Sequence, residues 1–207
     1  MLDWAWPSSL PDVSRETLED LQAFASLLEK WTKRINLVAP STVSDLWRRH
    51  IIDSCQLYTL VDAHEGTWFD LGSGGGLPAL PCAVLAKHEA RSIDFHLVES
   101  DKRKAAFLHT AIRSHQVSAS MHAIRAESLT DRAATIITAR ALAPLPRLLA
   151  LAHQNWTDGT VAIFPKGQSA QTEIERARQD WHFTLEVVES ITDPRAALLK
   201  IGDLRRV

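Results

Sequence analysis

Asp70-Leu71-Gly72-Ser73-Gly74-Gly75-Gly76-Leu77 joins a short apolar run, Thr67 to Leu71, to a run that reads as a helix, Leu77 to Ala86. Four glycines in a strand-to-helix turn let the backbone take positive φ and come close to a ligand. In open α/β sheets ligands bind at the carboxyl ends of the strands, which is where this turn falls. A dinucleotide fingerprint, G-x-G-x-x-G, starting at Gly72 needs its third glycine at position 77, where Leu77 stands. The loop therefore favours an adenosyl ligand without a pyrophosphate. Asp70, Gly72, Gly74, Gly76 and Leu77 are the candidates to hold it.

Downstream of the loop, strand and helix alternate. Strands are expected at Ile93 to Glu99, Ser120 to Arg125, Thr135 to Arg140 and Thr160 to Phe164; helices at Lys102 to His115, Pro144 to Asn155 and Ser169 to Asp180. Alternation of this kind builds a parallel sheet with helices on both faces. Phe183 to Glu189 and Ala196 to Ile201 read as two strands with only a short link between them, which makes an antiparallel pair. The fold class is α/β: a Rossmann-like, doubly wound and mostly parallel sheet ending in an antiparallel hairpin. Upstream lies a helical extension. Ser14 caps a helix whose apolar positions recur at Leu18, Leu21, Phe24, Leu28, Trp31 and Ile35; after a break at Asn36 to Pro40, Ser41 or Ser44 caps a second helix running to about Val61. Residues 1–65 are assigned to the extension, and residues 66–207 to the sheet domain, as one compact unit.

The chain has 207 residues, 45% of them hydrophobic and 23% charged, as in an ordinary globular protein. No apolar run is long enough to span a membrane, and the start, Met1-Leu2-Asp3-Trp4, has an acid and no base, unlike a secretory signal. Cys55 and Cys82 sit in apolar surroundings at no metal-ligand spacing and read as buried free thiols. The nine histidines are scattered, so no metal site is expected. These features together lead to the expectation of a soluble cytoplasmic protein. A net charge of -2 argues against a general nucleic-acid binder, but its distribution is uneven. Residues 1–30 hold six acids and two bases, whereas residues 99–147 hold eight bases and four acids. A local basic patch can still meet phosphate.

Glu99 closes the second strand, where a carboxylate can accept hydrogen bonds from two ribose hydroxyls. Ala126-Glu127 follows the third strand, where a backbone amide and a carboxylate can read an adenine edge. His50 and Asp53 are three apart on a predicted helix and share a face; they read either as a proton relay or, preferably, as a structural hydrogen bond that holds the helix against the sheet. Arg140 and Lys166 follow the fourth and fifth strands and can grip a phosphate or a guanine carbonyl oxygen, or form salt bridges. Lys102-Arg103-Lys104 opens a helix, where cations oppose the helix dipole, which points to an external anion. Trp31 and Trp47 can stack on bases, but core packing is the preferred reading of both.

Arg49-His50-Ile51-Ile52-Asp53-Ser54, Asp70 to Pro78, Glu99 to Leu108, Ala139-Arg140-Ala141 and Lys166-Gly167, preceded by Asn36-Leu37, stand in an order and spacing that resembles the ribosomal RNA small subunit methyltransferase G family, also called glucose-inhibited division protein B. The resemblance runs from about residue 18 to 200. It implies a class I S-adenosylmethionine-dependent methyltransferase that modifies N7 of one guanine in 16S ribosomal RNA of the small subunit. It further implies that Gly72 and Leu77 contact the cofactor, Glu99 holds the ribose, Ala126 and Glu127 flank the adenine, and Arg140 lies between cofactor and substrate. Asn36, His50, Asp53, Lys102, Arg103 and Lys166 match positions near the active site or the RNA. Ala79 stands where the family usually has glycine, and Thr135 where an acid often opens the fourth strand. The glycine loop and Glu99 alone also suit a methyltransferase for a small molecule or a protein, or a cofactor-sensing module without catalysis.

Overall fold

The structure is a computed structural model that describes residues 4–130 and 132–207. Asp3 and Asp131, two acids of the charge balance, lie outside the described residues, as does the rest of the Met1-Leu2-Asp3 start. Among the described residues seven strands form one sheet: β1 (Glu65–Leu71), β2 (Ser92–Val98), β3 (Ala119–His122), β4 (Ile136–Thr138), β5 (Val161–Lys166), β6 (Trp181–Glu189) and β7 (Ala197–Arg206). Their order is β3-β2-β1-β4-β5-β7-β6. The first five pair in parallel, and β7 runs antiparallel to both β5 and β6. This is the predicted sheet with its antiparallel end. The order in which strands are added reverses between β1 and β4, so their carboxyl ends border the crevice where a ligand binds in such sheets.

Strand β1 shows why the sheet must be covered on both faces. Trp68 and Phe69 are both buried, yet they point into different cores. Trp68 lies between Tyr58 and Phe95, with ring centroids 6.5 and 4.9 Å away. Phe69 joins the cluster containing Leu145, Leu149 and Phe164. Period-two alternation with both sides apolar belongs to a parallel strand buried on two faces. On the Phe69 face lie α5 (Leu145–His153) and α6 (Ala170–Ala177); on the Trp68 face lie α3 (Ala79–His88) and α4 (Lys102–His115).

The extension adds to the Trp68 face. Helix α1 (Arg15–Thr32) is capped by Ser14, whose hydroxyl accepts from Thr17 N at 3.2 Å, as the sequence predicts. It buries Leu21, Phe24 and Leu28 in the same cluster as Leu80, Phe107 and Leu108. Burying each such side chain contributes roughly 2 kcal/mol. Trp31 packs edge-on against Phe107, and Trp47 against Trp4.

The second predicted helix is not continuous. It breaks into a 3₁₀ turn (Pro40–Asp45), a π-helical turn (Trp47–Ile52) and α2 (Asp53–Tyr58). Apolar periodicity does not distinguish i→i+4 from i→i+5 bonding, and the π turn carries Arg49 and His50. Such turns often mark functional sites. Helix α3 begins at Ala79 after a cis Leu77-Pro78 bond, and Pro81 sits in its first turn, where a missing N–H costs little. No helix among the described residues is long and apolar enough to cross a membrane. Cys55 and Cys82 are buried and free, and burial pushes both thiols up.

Candidate active site

The glycine loop turns on two residues that only glycine suits. Gly72 has φ +71° and Gly76 φ +75°. A Cβ on Gly72 would come within 2.7 Å of Leu142, and one on Gly76 would overlap Leu80. Gly72 N and Ser73 N both donate to Val98 O, at 2.9 and 3.0 Å, which ties the loop to the end of β2. Glu99, the next residue, finishes the tie. Its carboxylate accepts from Gly74 N at 3.0 Å and from Asp101 N at 2.7 Å. A carboxylate has about four lone-pair sites, so capacity remains for a ligand's hydroxyls.

Above the loop is a cleft of about 720 Å³. Of the residues the sequence singles out, Gly72, Gly74, Leu77, Glu99, Ala126, Glu127 and Arg140 line it together. Leu37, Val38, Ile124 and Leu142 supply apolar walls, and Lys104 reaches it from α4. Asp70 and Gly76 are not at its surface; they lie beneath the loop. Glu127 stands at the rim, where Arg147 Nη2 donates to it at 2.6 Å. An apolar slot with one carboxylate beside the loop, Glu99, and a second at the rim, Glu127, suits a nucleoside: a flat ring between aliphatic walls, and vicinal hydroxyls on Glu99.

Asp70 is fully buried. Trp68 Nε1 donates to Thr138 Oγ1 at 2.9 Å, and Thr138 Oγ1 donates to Asp70 Oδ1 at 2.7 Å. Oδ2 has no hydrogen-bond partner. Burial pushes the carboxyl up to about 7, against the Thr138 bond and the Arg140 charge, which favour the ionised form.

Arg140 stands just past β4 and is the hub of the site. Nη2 donates to Arg49 O at 3.0 Å and to His50 Nδ1 at 2.9 Å, both on the π turn. Nη1 has no hydrogen-bond partner and lies 3.8 Å from Asp53 Oδ2, a charge contact. His50 Nε2 is 2.8 Å from Thr42 Oγ1. Burial, then the Arg140 and Arg49 charges, depress the His50 imidazole to about 3, so it is neutral at physiological pH. His50 and Asp53 share a face, but among the described residues no hydrogen bond joins them. Both address Arg140, just past β4, so they contact the sheet edge and not each other.

A second cavity of about 450 Å³ shares the wall Arg140 to Ala143 with the first. Its far side is the loop between β6 and β7. That loop is fastened to α2: Asp53 Oδ1 accepts from Thr192 Oγ1 at 2.9 Å, Gln56 Nε2 donates to Glu189 O at 2.7 Å, and Ile191 N donates to Gln56 Oε1 at 3.0 Å. Lys166 lines this cavity, but its ammonium pairs with Glu173 at 2.9 Å and donates to Ala143 O at 2.8 Å. Glu173 in turn accepts from Leu145 N at 2.7 Å. Lys166 thus braces the shared wall. Gln56, Thr42 and Thr138 were not expected from the sequence, since their partners are distant or backbone groups.

A third hollow, about 330 Å³, is lined by Arg34, Ile35, Asn36, Asp101, Arg103 and Lys104. It brings Asn36 together with two of the three cations that open α4. Lys102 is exposed beside it. The Asp101 carboxylate caps α4 by accepting from Arg103 N and Lys104 N at 2.8 and 3.2 Å, so side chains, not helix amides, face an incoming anion.

Comparison with known proteins gives a consistent result. A ribosomal RNA small subunit methyltransferase G of Cereibacter sphaeroides is 47% identical over 196 residues, 95% of each chain. One of Ruegeria pomeroyi is 46% identical over 197 residues, 95% of this chain and 96% of the other. Among solved structures, a SAM-dependent methyltransferase of Aquifex aeolicus superposes with a TM-score of 0.60 at 10% identity, covering 86% of this chain and 97% of the other. A variant of MtNAS in complex with S-adenosylmethionine superposes with a TM-score of 0.59 at 12% identity, covering 89% and 72%. These two likenesses concern the fold. Residues 17–198 match the model of the rRNA small subunit methyltransferase G family, and the chain belongs to that family.

Proposed function

We propose that this protein transfers the methyl group of S-adenosylmethionine to N7 of one guanine in 16S ribosomal RNA, within the small subunit or its precursor. The observation that carries the reading is the pair of cavities separated only by Arg140 to Ala143. One has the features of a nucleoside pocket and the other is open to a base. Family membership supplies the reaction and the class of acceptor.

The residues present fit the cofactor. Glu99 would hold the ribose, Gly72, Gly74 and Leu77 would border the sulfonium end, and Ala126 with Glu127 would flank the adenine. Asp70 and Gly76 would act from below by shaping the loop. When bound, S-adenosylmethionine supplies an electrophilic methyl group. The ring nitrogen accepts it through a lone pair and releases no proton, so no general base is needed. The protein's task is placement and field. Arg140 lines both cavities, and its buried Nη1 makes no hydrogen bond within the protein, which makes this guanidinium the group to hold the acceptor oxygen beside N7. A cation there opposes the positive charge that develops on the base. Asp53, 3.8 Å from Nη1, and the buried Asp70 offset it. His50 and Lys166 position this corner and do not touch the reacting atoms.

The hollow at Arg34, Asn36, Arg103 and Lys104, with Lys102 beside it, would take RNA phosphate. Arg34 and Lys104 have no ion-pair partner among the described residues. The extension (1–65) and the sheet domain (66–207) would fold together, because Leu28 and Leu37 lie against the glycine loop at Gly75.

The deciding experiment uses small ribosomal subunits from a strain lacking the protein. Isotopically labelled S-adenosylmethionine is added, and the RNA is digested to nucleosides and analysed by mass spectrometry. Label in 7-methylguanosine is expected. Label in another nucleoside, or none in RNA from protein that binds the cofactor, overturns the proposal.

A further inference from the structure

We propose that Thr42, in the N-terminal extension, is a positioning residue for the transfer: its hydroxyl fixes His50 as the Nε2–H tautomer and so keeps the Nδ1 lone pair available to hold Arg140. The inference rests on the methyl-transfer reading for its functional meaning, but its structural core is independent of it.

The argument is one of donors and acceptors. A guanidinium N–H only donates. Arg140 Nη2 is 2.9 Å from His50 Nδ1, so that nitrogen must carry a lone pair. In a neutral imidazole the single proton is then on Nε2. Nε2 faces Thr42 Oγ1 at 2.8 Å, and the hydroxyl must accept from it. The hydroxyl's own proton has a ready acceptor, Ala39 O, at 2.8 Å. The chain therefore runs one way, Arg140 to His50 to Thr42 to Ala39, and every donor in it meets an acceptor.

Either other state of the ring breaks the chain. With the proton on Nδ1, two donors face each other across 2.9 Å. With both nitrogens protonated, a second cation is added beside Arg140 and Arg49 on a ring that burial, and then those charges, hold neutral. A threonine hydroxyl thus acts on the junction of the two cavities through one ring, without lying next to Arg140 in the sequence. Serine preserves the hydroxyl. Valine keeps the shape and removes both the acceptor for Nε2–H and the donor to Ala39.

The test reads the ring directly. Nitrogen NMR on protein labelled at histidine, at neutral pH and without substrate, is expected to show His50 protonated at Nε2 and bare at Nδ1. Thr42→Ser keeps that pattern, whereas Thr42→Val moves population to the Nδ1–H form. In transfer to small subunits, kcat of Thr42→Val falls about 10- to 100-fold through misplacement of Arg140, and Thr42→Ser restores it. Wild-type protein with the proton on Nδ1, or with a charged ring, overturns the inference whatever the variants do. So does a valine variant with normal kcat, a valine variant that loses rate while keeping the Nε2–H ring, or a serine variant as impaired as the valine one. Absence of label in RNA from wild-type protein counts against the methyl-transfer reading instead, and leaves the tautomer result standing.

Discussion

The glycine-loop half of the cleft is drawn from the ends of neighbouring parallel strands, whereas the Arg140 half is gathered from distant parts of the chain. The core of the first half is the loop after β1 and Glu99 at the end of β2; the bonds from Gly72 and Ser73 to Val98 and from Gly74 to Glu99 close within 30 residues. The second needs Thr42 and the π turn, joined to Arg140, and α2, joined to the β6–β7 loop, by hydrogen bonds 90 to 139 residues apart in the chain. A site made this way separates two tasks. On the proposed reading, the part that would bind the cofactor is held by the sheet, and the part that would meet the acceptor depends on how the extension and the hairpin are seated.

Variants can break that separation. The largest effect is expected at Glu99→Ala, which removes the carboxylate proposed to hold the ribose and releases Gly74 N. Cofactor affinity measured by calorimetry should weaken about 10- to 100-fold, as for loss of a charge-assisted hydrogen bond. Unchanged affinity would remove Glu99 from the cofactor half. Gln56→Leu probes the other half. It frees the β6–β7 loop from two backbone bonds, so cofactor affinity should hold while KM for small subunits rises about fivefold to tenfold. Equal losses in both would mean that the two halves are not separable.

The smallest effect is a pH dependence where the halves meet. The Asp70 carboxyl is at about 7 in the folded protein against 3.8 ordinarily, so between about 4 and 7 the folded state holds a proton that the unfolded chain has lost. Its contribution to stability therefore falls as pH rises through that window. His50 behaves oppositely. At about 3 against 6.5, it leaves the unfolded chain as the better proton binder between about 3 and 6.5, so its contribution rises with pH. The two oppose each other from about pH 4 to 6.5. Asp70→Asn should leave only the rising slope, seen as a steeper increase of Tm between about pH 4.5 and 6.5 than in wild type. Parallel profiles would mean that Asp70 is ionised throughout.

The same contrast governs what the sequence discloses. Loop, strand end and Glu99 are legible because their geometry is local: glycines at a strand-to-helix turn and an acid at the next strand end admit few arrangements. The sheet is legible for a similar reason, through alternation and a link too short for a crossover. The π turn is hidden, because Trp47, Ile51 and Ile52 are apolar at spacings that an α-helix also satisfies. Lys166 reads as a candidate to grip substrate because the sequence places it at a strand end; only the fold supplies Glu173 to neutralise it. Gln56 has no signal at all. A glutamine gripping two backbone groups more than 130 residues away leaves no pattern to read.

The wall from Arg140 to Ala143 faces a cavity on each side, and Ala141 within it has φ +52°, a backbone state that an L residue enters only under constraint. A partition shared in this way is placed to couple two ligands. If filling one cavity shifts it, the free energy of filling the other changes, and linkage makes the factor identical in both directions. Affinities for cofactor alone and for RNA alone would then fail to sum to the affinity of the ternary complex, and the discrepancy would measure the stiffness of four residues.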